Sequence, residues 1–195
     1  MVSFMGFLWL TLSLILSFIS GSSLLSPVWF RNGDVSFGVF VQCRGPSNAP
    51  CNQTCIAYKT LEEIPDIFLK ISAVILFSGW LLLSIGALLV LSWTIIPAGL
   101  CQRRVCTPAR YAQTAAVVVT ILGLLFFPFS LSSQFARQIC VSSFIYMSGK
   151  CSLGWGYMMA IITVMLSCFL PIIGRYNLNE IKTKIPKLKL SSNMM

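Results

Sequence analysis

Pro27-Val28-Trp29-Phe30-Arg31-Asn32-Gly33-Asp34-Val35-Ser36-Phe37-Gly38-Val39-Phe40-Val41-Gln42-Cys43 opens the segment whose reading decides the fold, and Cys51-Asn52-Gln53-Thr54-Cys55 closes it. Around it lie long apolar runs and short connections. Val35, Phe37, Val39 and Val41 alternate with Ser36, Gly38 and Phe40, the period of a strand with one packed face. A lone two-stranded hairpin is marginal in water, so the strand predicts a small antiparallel sheet built by residues 27–70, with residues 136–152 docking beside it. Trp29, just past the first apolar run, reads as an interfacial anchor or as the cap of that sheet.

Outward from this head, the composition is that of a membrane protein. Of the 195 residues, 56% are hydrophobic and 10% charged, against roughly 25% charged in an ordinary soluble domain. No charged side chain occurs in residues 1–30, 71–102, 111–136 or 151–174. A spanning helix needs about 20 mostly apolar residues, so each run crosses once. The expected helices lie near 4–26, 71–97, 112–135 and 153–174. The first is read as a span rather than a cleaved signal peptide, because it lacks a basic leading segment and its apolar stretch is too long. The fold class expected is therefore a four-transmembrane-helix bundle, membrane all-α, with a small antiparallel sheet on its outer side.

Basic residues orient it. The connection 98–111 carries Arg103, Arg104 and Arg110 without an acid, and the tail 175–195 carries Arg175, Lys182, Lys184, Lys187 and Lys189 against Glu180. In 27–70, four basic residues face four acidic ones, and 136–152 has only Arg137 and Lys150. The positive-inside rule then puts the 98–111 turn, the basic tail and both termini in the cytoplasm, with 27–70 and 136–152 outside, most simply at the plasma membrane. The formal charge of +9 lies between apolar runs rather than on one basic face, which points to a lipid surface and away from nucleic acid. With no histidine and five carboxylates, the usual general bases and metal ligands are nearly absent, so neither an enzyme nor a cofactor or metal site is expected. The apolar runs hold no Asp, Glu, Lys or Arg, the groups that mark ion-coupled pathways, which argues against a self-sufficient transporter.

Small residues recur every fourth position at Ser13, Ser17 and Gly21, at Ala112, Ala116 and Thr120, and at Gly156 and Ala160. Such seams let helices approach in lipid, and internal packing is preferred to homo-oligomerisation through the same faces. Pro97 and Pro108 bracket the cytoplasmic turn, while Pro128 and Pro171 kink or end the third and fourth helices.

Cys43, Cys51, Cys55, Cys140 and Cys151 fall on the outer, oxidising side, and several pairings are open. One disulfide within each loop is the economical choice, with Cys51 free or exchanging with Cys55. Asn52-Gln53-Thr54 is an N-glycosylation sequon in the same loop. On the cytoplasmic side Cys101 and Cys106 flank Arg103 and Arg104, a setting for palmitoylation and a poor zinc site.

Pro27-x-Trp29, Val35-Ser36-Phe37-Gly38-x-Phe40-x-x-Cys43, Cys55 followed by Tyr58, and Gly149-Lys150-Cys151-x-x-Gly154-Trp155-x-Tyr157 together resemble the lipoma HMGIC fusion partner-like (LHFPL) tetraspan family, a branch of the claudin and peripheral-myelin-protein group. The resemblance implies a left-handed four-helix bundle capped by a β-sheet, and disulfides joining Cys43 to Cys55 and Cys140 to Cys151. It makes Trp29, Phe37, Gly38, Gly154 and Trp155 the structural motif of the loops. It also implies an auxiliary or scaffolding subunit whose partner is another integral membrane protein, a channel or receptor. The chain lacks the claudin Gly-Leu-Trp before its first loop cysteine, which argues against a tight-junction role, and it adds Cys51. A claudin-like adhesion protein and a small channel or transporter are the rival readings.

Overall fold

The computed structural model describes residues 4–45, 54–64, 66–95, 101–140, 143, 145–146 and 148–176. Among the described residues four apolar helical stretches are long enough to cross a membrane: Phe4–Leu25, Ile67–Ser92, Thr107–Ser132 and Trp155–Tyr176. They are built on α1 (Phe4–Leu25), α2 (Ile67–Ile95), α3 (Cys101–Phe126) and α5 (Trp155–Ser167), with the short α4 (Gln134–Ile139) preceding the last span. In the bundle α1 packs between α2 and α5, and α3 closes the ring on the other side.

Helix ends depart from the hydropathy boundaries where caps and prolines intervene. Helix α2 starts at Ile67, before the charge at Lys70, because Asp66 Oδ2 accepts the Leu69 N–H at 3.0 Å and caps the first turn. Helix α3 begins at Cys101, well inside the expected 98–111 turn, with Pro108 accommodated in its second turn. It then stops at Phe126 rather than near 135. Pro128 has no N–H to continue the ladder, and the chain tightens into a 3-10 segment, Phe127–Ser132, before Ser133 caps α4. The fourth span loosens at Cys168 and Phe169, just before Pro171. There the Phe169 N–H bonds to the Leu166 carbonyl, three residues back, at 3.1 Å.

The sheet has five antiparallel strands in the order β4-β3-β2-β1-β5. They are β1 (Phe30–Asn32), β2 (Val35–Phe37), β3 (Val41–Arg44), β4 (Thr54–Ala57) and β5 (Ser152–Leu153). The single strand expected from Val35 to Val41 is two strands. The chain reverses between them, closed by the Gly38 N–H on the Val41 carbonyl at 2.8 Å. The apparent alternation therefore spans a turn, and Phe37, Gly38 and Val39 are all buried. The second loop supplies the fifth strand, with Phe30 opposite Leu153 and Arg31 opposite Ser152.

Two apolar cores stack along the bundle. One lies beneath the sheet, where Trp29, Phe30, Phe37, Val39 and Phe127 join residues of α2, α3 and α5. The other, around Trp9, Leu16, Leu83, Val90, Ala109 and Leu170, fills the opposite half. The small-residue seams lie between helices. The Ser17 and Ser84 hydroxyls are 2.9 Å apart, Trp80 Nε1 donates to the Ser17 carbonyl at 3.1 Å, and a Cβ on Gly79 would overlap Thr120 Oγ1. These faces are occupied within the bundle.

Candidate functional site: the sheet head and its seat on the bundle

Trp29 is the pivot between sheet and helices. Pro27 fixes the chain as it leaves α1, and Trp29 turns back beneath the sheet, fully buried. Its Nε1 donates to the Ser23 carbonyl at 2.8 Å, and its ring lies 4.6 Å from Phe127 and 5.5 Å from Tyr157. Phe30 stacks on Phe127 at 5.7 Å and on Phe37 at 5.8 Å. Five aromatic rings, three from the first loop, Phe127 at the end of the third span and Tyr157 of α5, thus form one cluster, each pair contributing about 0.5–1.5 kcal/mol beyond the area it buries. Of the two roles open to Trp29, its surroundings match the cap of the sheet, because no part of its ring reaches the surface.

The two motif glycines sit where backbones nearly touch. A Cβ on Gly38 would overlap the Ser26 carbonyl oxygen, and one on Gly154 would overlap that of Val28. The Gly154 N–H bonds the Trp29 carbonyl at 2.7 Å, and the Gly156 N–H bonds that of Val28 at 3.0 Å. The start of α5 is thereby sewn to the exit of α1. Trp155 points away from this seam and is exposed.

Cys43 and Cys55 stand opposite each other on β3 and β4 and are joined by a disulfide, and a second disulfide joins Cys140 to Cys151. Asn32 Nδ2 adds a bond to the Ile139 carbonyl at 2.6 Å, tying β1 to α4. Cys51 and Asn52 lie outside the described residues, as do the side chains of Cys101 and Cys106 and the tail beyond Tyr176.

Tyr58 donates to Gln42 Oε1 at 3.2 Å, and partial burial pushes its phenol above the usual tyrosine range. Burial likewise raises the Asp66 carboxyl above the ordinary carboxylate value, against the lowering effect of the backbone N–H groups of Leu69, Phe68 and Ile67. Among the described residues no cluster of three or more His, Cys, Asp or Glu could hold a metal ion. The edges of the head instead present apolar groups: Ile56 on the edge strand β4, Leu153 on the opposite edge strand β5, and Trp155 at the start of α5, each more than half exposed, with Ile56 and Leu153 on the same sheet face as Phe30 and Phe37.

A polar contact inside the bundle is absent from the expectations drawn above. Gln113 of α3 is fully buried, its Oε1 accepting from Trp9 Nε1 at 2.9 Å and its Nε2 donating to Ser13 Oγ at 2.9 Å. A search for charges passes over it. A search for any amide within an apolar run would have found it.

The family model described as "Lipoma HMGIC fusion partner-like protein" matches residues 5–175, which takes in all four helices and both loops. The chain is similar to the LHFPL tetraspan subfamily member 7 protein of Xenopus tropicalis, with 77% identity over 185 residues, 95% of this chain and 97% of that one. It is also similar to the LHFPL tetraspan subfamily member 4 protein of Homo sapiens, with 23% identity over 175 residues, 86% of this chain and 69% of that one. Four apolar helices, a small antiparallel sheet with a disulfide-bonded loop, and matches across nearly the whole sequence make this chain a multi-pass membrane protein that belongs to the LHFPL tetraspan family.

Proposed function

We propose that the protein is a non-enzymatic accessory or scaffolding subunit of a membrane channel or receptor complex, and that its sheet head is the surface that engages the partner. The observation that carries this reading is the contrast between the centre of the head and its edges. Its centre is fixed to the bundle by the aromatic cluster and the glycine seam, while its edge strands and the adjoining start of α5 expose Ile56, Leu153 and Trp155. Aromatic and aliphatic groups held on a rigid support are the usual anchors of an interface. The charge count supports an orientation with the head outside the cell and both termini in the cytoplasm, and the sequon at Asn52 agrees with that side. The cavity lined by Ser23, Thr120, Thr163 and Ser167 has a volume of about 20 Å3, room for a water molecule but not for a hydrated ion's path.

Proximity labelling from the head in native membranes tests the proposal. Enrichment of channel or receptor subunits is expected. Labelling confined to copies of this chain on an opposed cell would favour adhesion, and conductance from the purified protein in liposomes would overturn the accessory reading.

A further inference from the structure

Between α1, α2 and the β3–β4 flank of the sheet runs an open groove of about 630 Å3. Gly21 of α1 forms part of its floor, where a Cβ would stand 2.8 Å from Trp80 Nε1. Leu24, Val74, Phe77 and Trp80 line the walls, and Phe40 meets Phe77 edge-on at 6.3 Å beneath the sheet. The polar side chains of the lining are Tyr58, Lys59 and Thr60, all on the segment that follows β4. Lys70 stands one turn before Val74 on the same stripe of α2 as Phe77.

An apolar slot of this size gives water few partners, and atoms left facing a void forfeit their packing, so its natural occupant is a hydrocarbon chain. Lys59 is the charged residue among those that line the groove, and its sequence neighbourhood carries charges of both signs. Lys59 and Lys70 lie close in sequence to Glu62, Glu63 and Asp66, and two of those carboxylates are turned to the backbone. Glu63 Oε2 accepts the Lys59 N–H at 2.8 Å, and Asp66 Oδ2 accepts the Leu69 N–H at 3.0 Å. Such an end complements a phosphate carrying its own cation better than a headgroup of net negative charge.

We infer that the groove is a binding site for one zwitterionic glycerophospholipid. One acyl chain lies along Val74, Phe77 and Trp80, and the phosphate meets Lys59 and Lys70. Val41, Ala57 and Tyr58 bound the slot at the sheet end, which suits a molecule whose polar head stops there.

The test is native mass spectrometry of the full chain released from nanodiscs of phosphatidylcholine and phosphatidylglycerol in equal amounts. One phosphatidylcholine per chain is expected. Val74→Trp, which fills the slot, should lower retention at least tenfold, whereas Val118→Trp on the exposed face of α3 should leave it unchanged. Because Val74→Trp could disturb folding, the unfilled slot is read separately with phosphatidylcholine carrying brominated chains. Quenching should be at least twofold stronger in the wild type than in Trp80→Phe. Release without bound phosphatidylcholine, preferential retention of phosphatidylglycerol, equal retention by the two tryptophan variants, or quenching independent of Trp80 would each overturn the assignment.

Discussion

At the residue scale, Gly38 and Gly154 show how the head depends on atoms that are missing. Each lies against a carbonyl oxygen of the segment that leaves α1, so a methyl group at either position must push the sheet off its seat. Gly38→Ala and Gly154→Ala are each expected to cost about 1–3 kcal/mol, read as a lower unfolding midpoint of the detergent-solubilised chain. Gly33 serves as the comparison: it has nothing within 4 Å but a φ of +56°, so Gly33→Ala should cost about 1 kcal/mol, through backbone strain alone. Asp66 gives a prediction in pH. Its folded value is raised, so its contribution to stability is full below the unfolded carboxylate pKa of about 3.9 and is lost as pH rises through the raised value. Asp66→Asn keeps a capping side chain without that dependence, and its midpoint should therefore gain on the wild type between pH 4 and pH 8. A difference that shrinks or stays flat over that range would show that the helix cap, not burial, governs this carboxyl.

At the element scale, the four helices were legible as four runs without charge, because a bilayer leaves a spanning segment no other composition. Their ends were less legible. Asp66 extends α2 outward by capping it, and Pro128 stops α3, local hydrogen-bond effects that hydropathy does not weigh. The strand signal at Val35 to Val41 pointed to the right region and missed its shape, since period-two alternation continues across the Gly38 turn while the chain reverses. Gly38 and Gly154 were singled out through the family resemblance. Their reason, backbone against backbone, required the fold. Gln113 was missed because an amide carries no charge to stand out from its run. Gln113→Leu keeps most of the volume but leaves Trp9 Nε1 and Ser13 Oγ without that partner. Interhelical hydrogen bonds in membranes average about 0.6 kcal/mol and a stranded buried donor costs more. A loss of about 1–2 kcal/mol in a mild-denaturant titration is the expected result, and no loss would assign the helix contact to packing alone.

At the scale of the whole molecule, the head and the bundle are one support. Both disulfides staple loops of 12 and 11 residues' separation, and closing loops of that size restricts the unfolded chain by about 3 kcal/mol each. Cys140→Ser with Cys151→Ser should therefore lower the unfolding midpoint under oxidising conditions and abolish its sensitivity to reductant at that loop. The same support explains how function and fold can be separated. Ile56, Leu153 and Trp155 project from the head without contributing to the buried cluster, so changes there should alter partner capture while leaving the midpoint nearly unchanged. The most direct measurement places a photo-crosslinking side chain at each of these three positions and, as controls, at Val118 and Leu122 on α3, in cells that express the protein naturally. Cross-links from the head to a channel or receptor subunit are the predicted result. Cross-links only from the α3 positions, or from the head only to copies of this chain on a neighbouring cell, would contradict the account.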